Sequence, residues 1–200
     1  MKRLSPKANK WEDHYSRLAK KENYPARSVY KLQEIQSRYK LIKKGGRVLD
    51  LGCYPGSWTV YASSLVGEKG IIVGVDLKKL ETNNLSNVIA YQADILDIDD
   101  KTLLAIGKDF DVVISDMAPA TTGNKNVDAV RSYDLCVAAL EIATKVLLYN
   151  GAFLCKIFQG EDFNNFLEMV KAVFKSYKIF KPQSSRKSSK EIYIIGLGKK

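Results

Sequence analysis

Residues 47–58, with the sequence RVLDLGCYPGSW, decide the fold of this chain. The apolar side chains at positions 48, 49 and 51 predict a short buried strand that carries one carboxylate, Asp50. A turn bounded by Gly52 and Gly56 follows, and a helix then starts near Trp58. A strand that ends in a glycine turn and leads into a helix is how a doubly wound α/β sheet makes a cofactor site. The G-x-x-x-G spacing, with Pro55 inside it, differs from the G-x-G-x-x-G of dinucleotide enzymes.

Further acidic residues follow the next predicted strands. Asp76 ends the strand 70–76, Asp94 ends the strand 88–94, and Asp116 ends the strand 110–116. Any one of them is typical of a solvated strand end, but a carboxylate at this place also accepts hydrogen bonds from ribose hydroxyls. Asp50, Asp76 and Asp94, at three consecutive strand ends with the glycine turn between them, indicate a nucleoside site without phosphate-binding residues. Such a site suits S-adenosylmethionine better than NAD.

The remaining pattern predicts one α/β domain over residues 1–200. We expect a basic N-terminal arm and helix over residues 1–44, and a cofactor-binding and catalytic core over residues 45–200. A long helix is predicted over 128–149 and a fifth strand over 151–158. Two more strands, at 177–181 and 191–197, close the sheet.

Charge is segregated along the chain, whose formal net charge is +10. Residues 1–44 hold 13 Lys and Arg against 4 Asp and Glu, and residues 175–200 hold 8 against 1. The middle of the chain is therefore acidic. Two basic ends around an acidic core predict a polyanionic partner, and we expect RNA to contact these two segments.

The cysteine and histidine content and the hydropathy of the chain bear on three further properties: metal binding, compartment and membrane contact. Cys53, Cys136 and Cys155 lack the spacing of metal ligands, and His14 is the single histidine, so we predict no metal site. An odd number of cysteines suits a reducing compartment. No apolar run approaches the roughly 18–20 residues of a membrane span. We expect a monomer in the cytoplasm without membrane contact, or in mitochondria or the nucleolus if the source is eukaryotic.

Lys156 is a charged residue within a strand that is otherwise predicted to be buried. The segment 154–158, LCKIF, otherwise predicts a strand buried on both faces, where an unpaired ammonium group costs several kcal/mol. A lysine that extends to solvent at the strand end is the alternative. Asp116, at the end of the preceding strand, and Glu191, at the start of the last strand, are the carboxylates that could pair with it.

Five motifs, in order, resemble the FtsJ family of ribosomal RNA 2'-O-methyltransferases over essentially the whole chain. They are RSVYKL (27–32), DLGCYPGSW (50–58), SDMAP (115–119), KIFQG (156–160) and SSRKSSKEIY (184–193). The resemblance implies a Rossmann-like sheet of seven mostly parallel strands, with the last strand antiparallel and helices on both faces. It also implies S-adenosylmethionine as methyl donor and an RNA ribose as acceptor.

The resemblance also assigns roles to particular residues. The family's catalytic Lys-Asp-Lys-Glu tetrad falls on Lys31, Asp116, Lys156 and Glu191, with Lys156 as the proposed base. Our hypothesis is that Lys156 mainly orients the 2'-oxygen, stabilises its developing negative charge and accepts the proton late. The predicted cofactor contacts, from the turn and from the resemblance, are Asp50, Gly52, Pro55, Gly56, Trp58, Asp76, Asp94 and Asp116.

Within the family, the motifs at 115–119 and 184–193 resemble the large-subunit rRNA branch. That resemblance implies a uridine in the A-loop of large-subunit ribosomal RNA as target, and the ribosomal RNA or the large subunit as partner. A tRNA anticodon-loop 2'-O-methyltransferase and a non-catalytic RNA-binding assembly factor remain as alternatives. Tyr54, Ser57 and Ala120 depart from the residues usual in the family, which leaves substrate preference open.

Overall fold

The structure is a computed structural model that describes residues 14–81, 85–120, 122–186 and 188–200. The first 13 residues of the predicted basic arm therefore lie outside the described residues, as does Lys187 of the motif at 184–193. Within the described ranges, no helix has the length and apolar character needed to cross a membrane.

Six α-helices and seven strands make up the described chain. In order they are α1 (His14–Lys21), α2 (Val29–Tyr39), β1 (Arg47–Leu51), α3 (Ser57–Val66), β2 (Ile71–Asp76), β3 (Val88–Gln92), α4 (Asp100–Ile106), β4 (Phe110–Ser115), α5 (Lys125–Val146), β5 (Leu147–Phe158), α6 (Phe163–Val173), β6 (Phe174–Phe180) and β7 (Glu191–Lys199). A single 3₁₀ turn, Ile95–Asp97, follows β3.

The strands form one sheet in the order β3-β2-β1-β4-β5-β7-β6. The first five strands in this order are parallel, whereas β7 is antiparallel to both of its neighbours. The chain order reverses between β1 and β4, and in such sheets the crevice beyond the carboxyl ends of the strands binds ligands. The predicted sheet, with its antiparallel last strand, is confirmed.

Both faces of the sheet are covered by helices because strand residues alternate between two apolar cores. Leu49, Val113 and Cys155 face the core under α5 and α6. Val48 and Leu154 face the core under α2 and α3. The side of the sheet on which a residue falls therefore decides which helices it meets.

The boundary between α5 and β5 differs from the prediction. The helix ends at Val146, not near residue 149, and β5 begins at Leu147. Asn150 adopts a left-handed conformation with φ of 63°, and the register of β5 against β4 shifts between Phe110 and Val112. An irregular strand start thus looks like a helix end in sequence, because Asn-Gly stops either element.

The two basic ends of the chain meet in space. Glu34 of α2 accepts hydrogen bonds from the backbone N–H groups of Gln183 (2.6 Å) and Ser184 (2.8 Å). The Arg38 guanidinium lies 5.5 Å from the ring centre of Phe180 at the end of β6. Within the described ranges, α2 therefore contacts the basic segment that follows β6.

Candidate active site

A cleft of about 330 Å³ opens at the carboxyl ends of β1, β2 and β4. Its walls combine apolar side chains, among them Leu77, Ile95 and Leu135, with the three strand-end acids Asp76, Asp94 and Asp116. An apolar cleft with a few convergent polar groups is typical of a small-molecule site. The sequence predicted this convergence of acids, and the fold brings it about.

Asp76 is fixed by two backbone amides. Its Oδ2 accepts the N–H of Tyr54 at 3.0 Å, and its Oδ1 accepts the N–H of Lys78 at 2.8 Å. Each carboxylate oxygen has two acceptor sites, so both can still receive a hydroxyl. The first of these bonds also ties the glycine turn to β2.

The backbone at Gly52 approaches the far wall of the cleft closely. Gly52 has φ of 79°, and a Cβ atom there would overlap the Met117 side chain. Glycine is required for both reasons, conformation and space. Met117 follows Asp116 directly, so the glycine turn and the end of β4 together form the floor of the cleft.

The predicted cofactor residues divide into two groups. Gly52, Asp76, Asp94 and Asp116 line the cleft, whereas Asp50, Pro55, Gly56 and Trp58 do not. Asp50 is fully buried behind the turn, where its Oδ2 accepts the Thr59 hydroxyl at 2.6 Å. The Trp58 indole stacks on Tyr193 and donates to the Ser28 carbonyl at 2.9 Å. Both side chains are buried outside the lining of the cleft, and cofactor contact by Asp50, Pro55, Gly56 and Trp58 stays a prediction.

Lys156 and Asp116 form a buried ion pair. The Lys156 ammonium lies 3.1 Å from Asp116 Oδ1 and donates to the Asp116 main-chain carbonyl at 2.5 Å. Only 6% of the Lys156 side chain is exposed, so the alternative that it extends to solvent is wrong. Two oxygens of one residue therefore hold two of the three ammonium N–H groups, and one remains for another acceptor.

Lys31 and Glu191 form a second ion pair, at 2.9 Å, although they lie 160 positions apart in the sequence. In the β5–β7 ladder, Lys156 is opposite Tyr193 and Phe158 is opposite Glu191. Because side chains alternate along a strand, Lys156 and Glu191 point to the same face of the sheet. The structure thus brings the four predicted tetrad residues together as two adjacent ion pairs.

Asp116 has a pKa below its ordinary value. Burial acts to raise the pKa of this carboxyl, but the charges of Lys156 and Lys31 and the hydrogen bond from Tyr193 outweigh it. Since Lys31 contributes, the second ion pair is electrostatically part of the same site. The site therefore holds an ionised carboxylate between two ammonium groups at the rim of the cleft.

Tyr193 is a site residue that the prediction did not include. Its hydroxyl donates to Asp116 Oδ1 at 2.6 Å, and burial raises its pKa well above the ordinary value. The two-residue period of a strand could have identified it, because Tyr193 lies two positions after Glu191 on the same face. Arg27, which donates to the Ser184 carbonyl, was likewise given no role beyond its motif.

The sheet order and the cleft at its switch point define the class as a Rossmann-like methyltransferase. Within that class, the chain belongs to the FtsJ-like methyltransferase family, whose model matches residues 24–199. The resemblance noted from five short motifs therefore extends over the core and α2.

Similar curated proteins span the same length as this chain. A protein of Desulforapulum autotrophicum named ribosomal RNA large subunit methyltransferase E is 58% identical over 198 residues, covering 99% of this chain and 98% of the relative. A protein of the same name from Desulfosudis oleivorans is 53% identical, covering 100% and 97%.

Solved structures agree with the fold. A Plasmodium falciparum protein described as a ribosomal RNA methyltransferase superposes with a TM-score of 0.78 at 29% identity, covering 88% of this chain and 98% of its own. Fibrillarin of Aeropyrum pernix, solved with S-adenosyl-L-methionine, superposes with a TM-score of 0.63 at 15% identity. The match covers 85% of this chain and 76% of fibrillarin. At that identity, the fibrillarin likeness concerns the fold alone.

Proposed function

We propose that this protein transfers a methyl group from S-adenosylmethionine to the 2'-hydroxyl of a ribose in large-subunit ribosomal RNA. The observation that carries the proposal is the buried Lys156 ammonium, fixed by two oxygens of Asp116, a residue that lines the cleft. The names of the relatives at 58% and 53% identity support ribosomal RNA over tRNA as substrate. The finer assignment, to a uridine of the A-loop, rests on the motif resemblance.

The cleft suits the proposed cofactor. Asp76, held by two amides yet with acceptor sites to spare, would receive the ribose hydroxyls, and Leu77 and Ile95 would contact the adenine. The absence of a Cβ at Gly52 leaves the turn close enough to Met117 to form a tight floor. When bound, S-adenosylmethionine supplies an electrophilic methyl group.

The tetrad would position the acceptor oxygen. The third N–H of the Lys156 ammonium is the donor for the 2'-oxygen, because Asp116 occupies the other two. Holding the oxygen in line is a large part of such a reaction's acceleration. To act as a base, Lys156 would first release one ammonium proton to water, and its neutral amine would then take the 2'-hydroxyl proton late, as the methyl group is transferred. The ammonium re-formed in this way stabilises the negative charge that develops on the oxygen.

Lys31 and Glu191 would keep this arrangement in place. The Lys31 charge helps to keep Asp116 ionised, and Glu191 neutralises Lys31 at 2.9 Å. Without the second ion pair, the Asp116 carboxylate would have one cation fewer to offset its burial.

The experiment is methyl transfer from labelled S-adenosylmethionine to three substrates: large-subunit particles, naked large-subunit rRNA and tRNA. We expect label in the large-subunit particles or in the naked large-subunit rRNA. Alkaline hydrolysis locates the label, because a 2'-O-methyl group protects the adjoining phosphodiester from cleavage. The Lys156→Ala variant should lose at least about a hundredfold in rate. Label in tRNA alone would favour the anticodon-loop alternative, and RNA binding without any transfer would favour the assembly factor.

The proposed site of action is the cytoplasm. The two relatives at 58% and 53% identity come from bacteria, which favours this compartment over mitochondria or the nucleolus. The basic segments 1–44 and 175–200, whose described parts meet where Glu34 accepts the Gln183 and Ser184 N–H groups, are the proposed contact with the RNA, and a monomer is the proposed state.

A further inference from the structure

A second large concavity lies at the opposite end of the sheet from the cofactor cleft. It has a volume of about 800 Å³ and lies where β1 and β5 begin, whereas the cleft lies where β1, β2 and β4 end. We name it the distal basic groove, and define it by Tyr39, Lys40, Lys43, Lys44 and Tyr149.

The groove carries an excess of positive charge. Lys40, Lys43 and Lys44 are exposed, and within the described ranges none of the three ammonium groups pairs with a carboxylate. Asp111 is the acidic residue in the lining, and its Oδ2 already accepts the Arg47 N–H at 2.8 Å. Three cations against one engaged carboxylate form an attractive surface for a polyanion.

The segment that presents the lysines is rigidly held. The buried Gln36 amide donates to the Ile42 carbonyl at 2.7 Å and accepts the Ile42 N–H at 3.0 Å. The Gly46 N–H bonds to the Lys43 carbonyl at 3.1 Å, which closes the turn. A backbone that is already ordered loses little conformational entropy when its side chains bind a partner.

Aromatic rings accompany the charges. Tyr149 is 67% exposed, beside the left-handed Asn150, and the Lys175 ammonium lies 4.3 Å from its ring centre. Tyr39 lines the same groove. Tyr39 is half-buried against Phe180, so Tyr149 is the exposed ring. Lysines around an exposed aromatic ring suit a sugar–phosphate backbone with a stackable base, because the ring accepts any base.

We propose that the distal basic groove binds the backbone of a second segment of the substrate RNA. This inference rests on the proposed function for the identity of that RNA. Tyr149 and Lys156 are seven positions apart on β5, a distance of about 20 Å at about 3.3 Å per residue. With stacked nucleotides rising about 3.4 Å each, the bound segment lies about six or more nucleotides from the methylated one.

The test compares two variants of equal charge change. Lys43→Gln/Lys44→Gln removes two charges from the distal basic groove, and Lys101→Gln/Lys171→Gln removes two from α4 and α6. The probes are a short hairpin with the target loop alone and a long large-subunit rRNA fragment that contains the same loop. Equilibrium binding is measured over a range of NaCl concentrations, methyl transfer is measured on both RNAs, and thermal unfolding checks the fold.

For the groove variant we expect about tenfold weaker binding of the long fragment. Its salt dependence, the slope of log Kd against log salt, should fall by about 2. Transfer to the short hairpin should stay at the wild-type rate, and the control should match wild type on both RNAs. Equal binding of the long fragment by the groove and control variants would overturn the inference.

Other outcomes separate the alternatives. Weaker binding to assembled large subunits with unchanged binding to naked RNA would assign the groove to an acidic protein and overturn the RNA assignment. If the wild-type protein methylates neither these RNAs nor large-subunit particles, the proposed function fails, while the binding comparison still decides the inference about the groove.

Discussion

Asp50 and Asp116 lie on neighbouring parallel strands, and the structure gives their carboxyls opposite properties. Asp50 is buried without a cation, with the Thr59 hydroxyl as its hydrogen-bond donor. Burial raises the pKa of Asp50 to about 7, and the charges of nearby acids add to the effect. Asp116 is buried as well, but Lys156 and Tyr193 both contact its Oδ1, and its pKa is lowered.

The difference shows that burial alone does not make a reactive carboxylate. At the end of β1, a buried acid without a cation becomes a proton-holding link between β1 and α3. After β4, the same residue type surrounded by two cations and a phenol stays ionised and fixes an ammonium group. The chemistry of the site therefore follows from what β5 and β7 place opposite Asp116.

Asp116→Asn should have the largest effect. It keeps the side-chain shape but leaves the Lys156 ammonium buried without a carboxylate. Removal of one partner of a buried ion pair costs about 4 kcal/mol of unfolding free energy. We also expect at least a hundredfold loss of methyl transfer. Urea unfolding at pH 7.5 and single-turnover transfer measure the two effects.

A matched variant makes this prediction specific. Asp111→Asn removes an exposed carboxylate near the start of β4, at the opposite end of the strand from Asp116, and should keep methyl transfer within about twofold. If Asp116→Asn kept at least half of the wild-type rate of methyl transfer and an unfolding free energy close to that of wild type, the Asp116–Lys156 ion pair would not be needed for function.

Asp50→Asn should change how stability depends on pH. A folded-state pKa of about 7, above the ordinary value of 3.8, means that the folded protein holds a proton that the unfolded chain releases. The stabilisation is complete below about pH 4 and is lost as the pH rises to about 7. Asn does not titrate, so the variant should gain about 3 kcal/mol relative to wild type over this range.

Unfolding free energies of both proteins at pH 4.5, 6 and 8 measure this gain. Carboxyl ¹³C NMR should show a resonance that titrates near pH 7 in wild type and is missing from the variant. Parallel stability curves for the two proteins would mean that Asp50 is ionised in the fold, and the contrast with Asp116 would disappear.

Tyr193→Phe should have the smallest effect of the three. It removes the 2.6 Å hydrogen bond to Asp116 Oδ1 but retains the aromatic stack on Trp58. A hydrogen bond to a charged group contributes about 1.5 kcal/mol, and we expect a tenfold lower kcat with an unchanged KM for RNA. A raised KM at constant kcat would place Tyr193 in RNA binding instead.

The fold was largely predictable from sequence because its signals are local. The alternation of apolar strands with helices, and the glycine turn at 52–56, predict the sheet without long-range information. The end of α5 was not predictable, because a bulged strand start at Leu147–Asn150 and a helix end use the same residues. Register shifts depend on the neighbouring strand, which the local sequence does not contain.

The candidate site was predictable in part. The positions of the acids at the ends of predicted strands identify them as candidates, and the apolar residues around Lys156 identify that lysine. The pairing of Lys31 with Glu191 spans nearly the whole chain, and only the family resemblance indicated it. A motif does not tell which side chains face a cleft and which face the core, so the burial of Asp50 and Trp58 was not predictable, and their contact with the cofactor stays a prediction.

The central claim is that Lys156 positions the ribose hydroxyl through its ammonium group and, after releasing one proton to water, takes the hydroxyl proton during methyl transfer. The most direct measurement is the single-turnover rate of methyl transfer by Lys156→Arg, with S-adenosylmethionine and rRNA both saturating. Arginine keeps the charge and the donors but, with a pKa above about 12, cannot accept a proton. We predict a rate at least about a hundredfold below wild type with an RNA Kd unchanged within twofold. A rate close to that of wild type would contradict the claim.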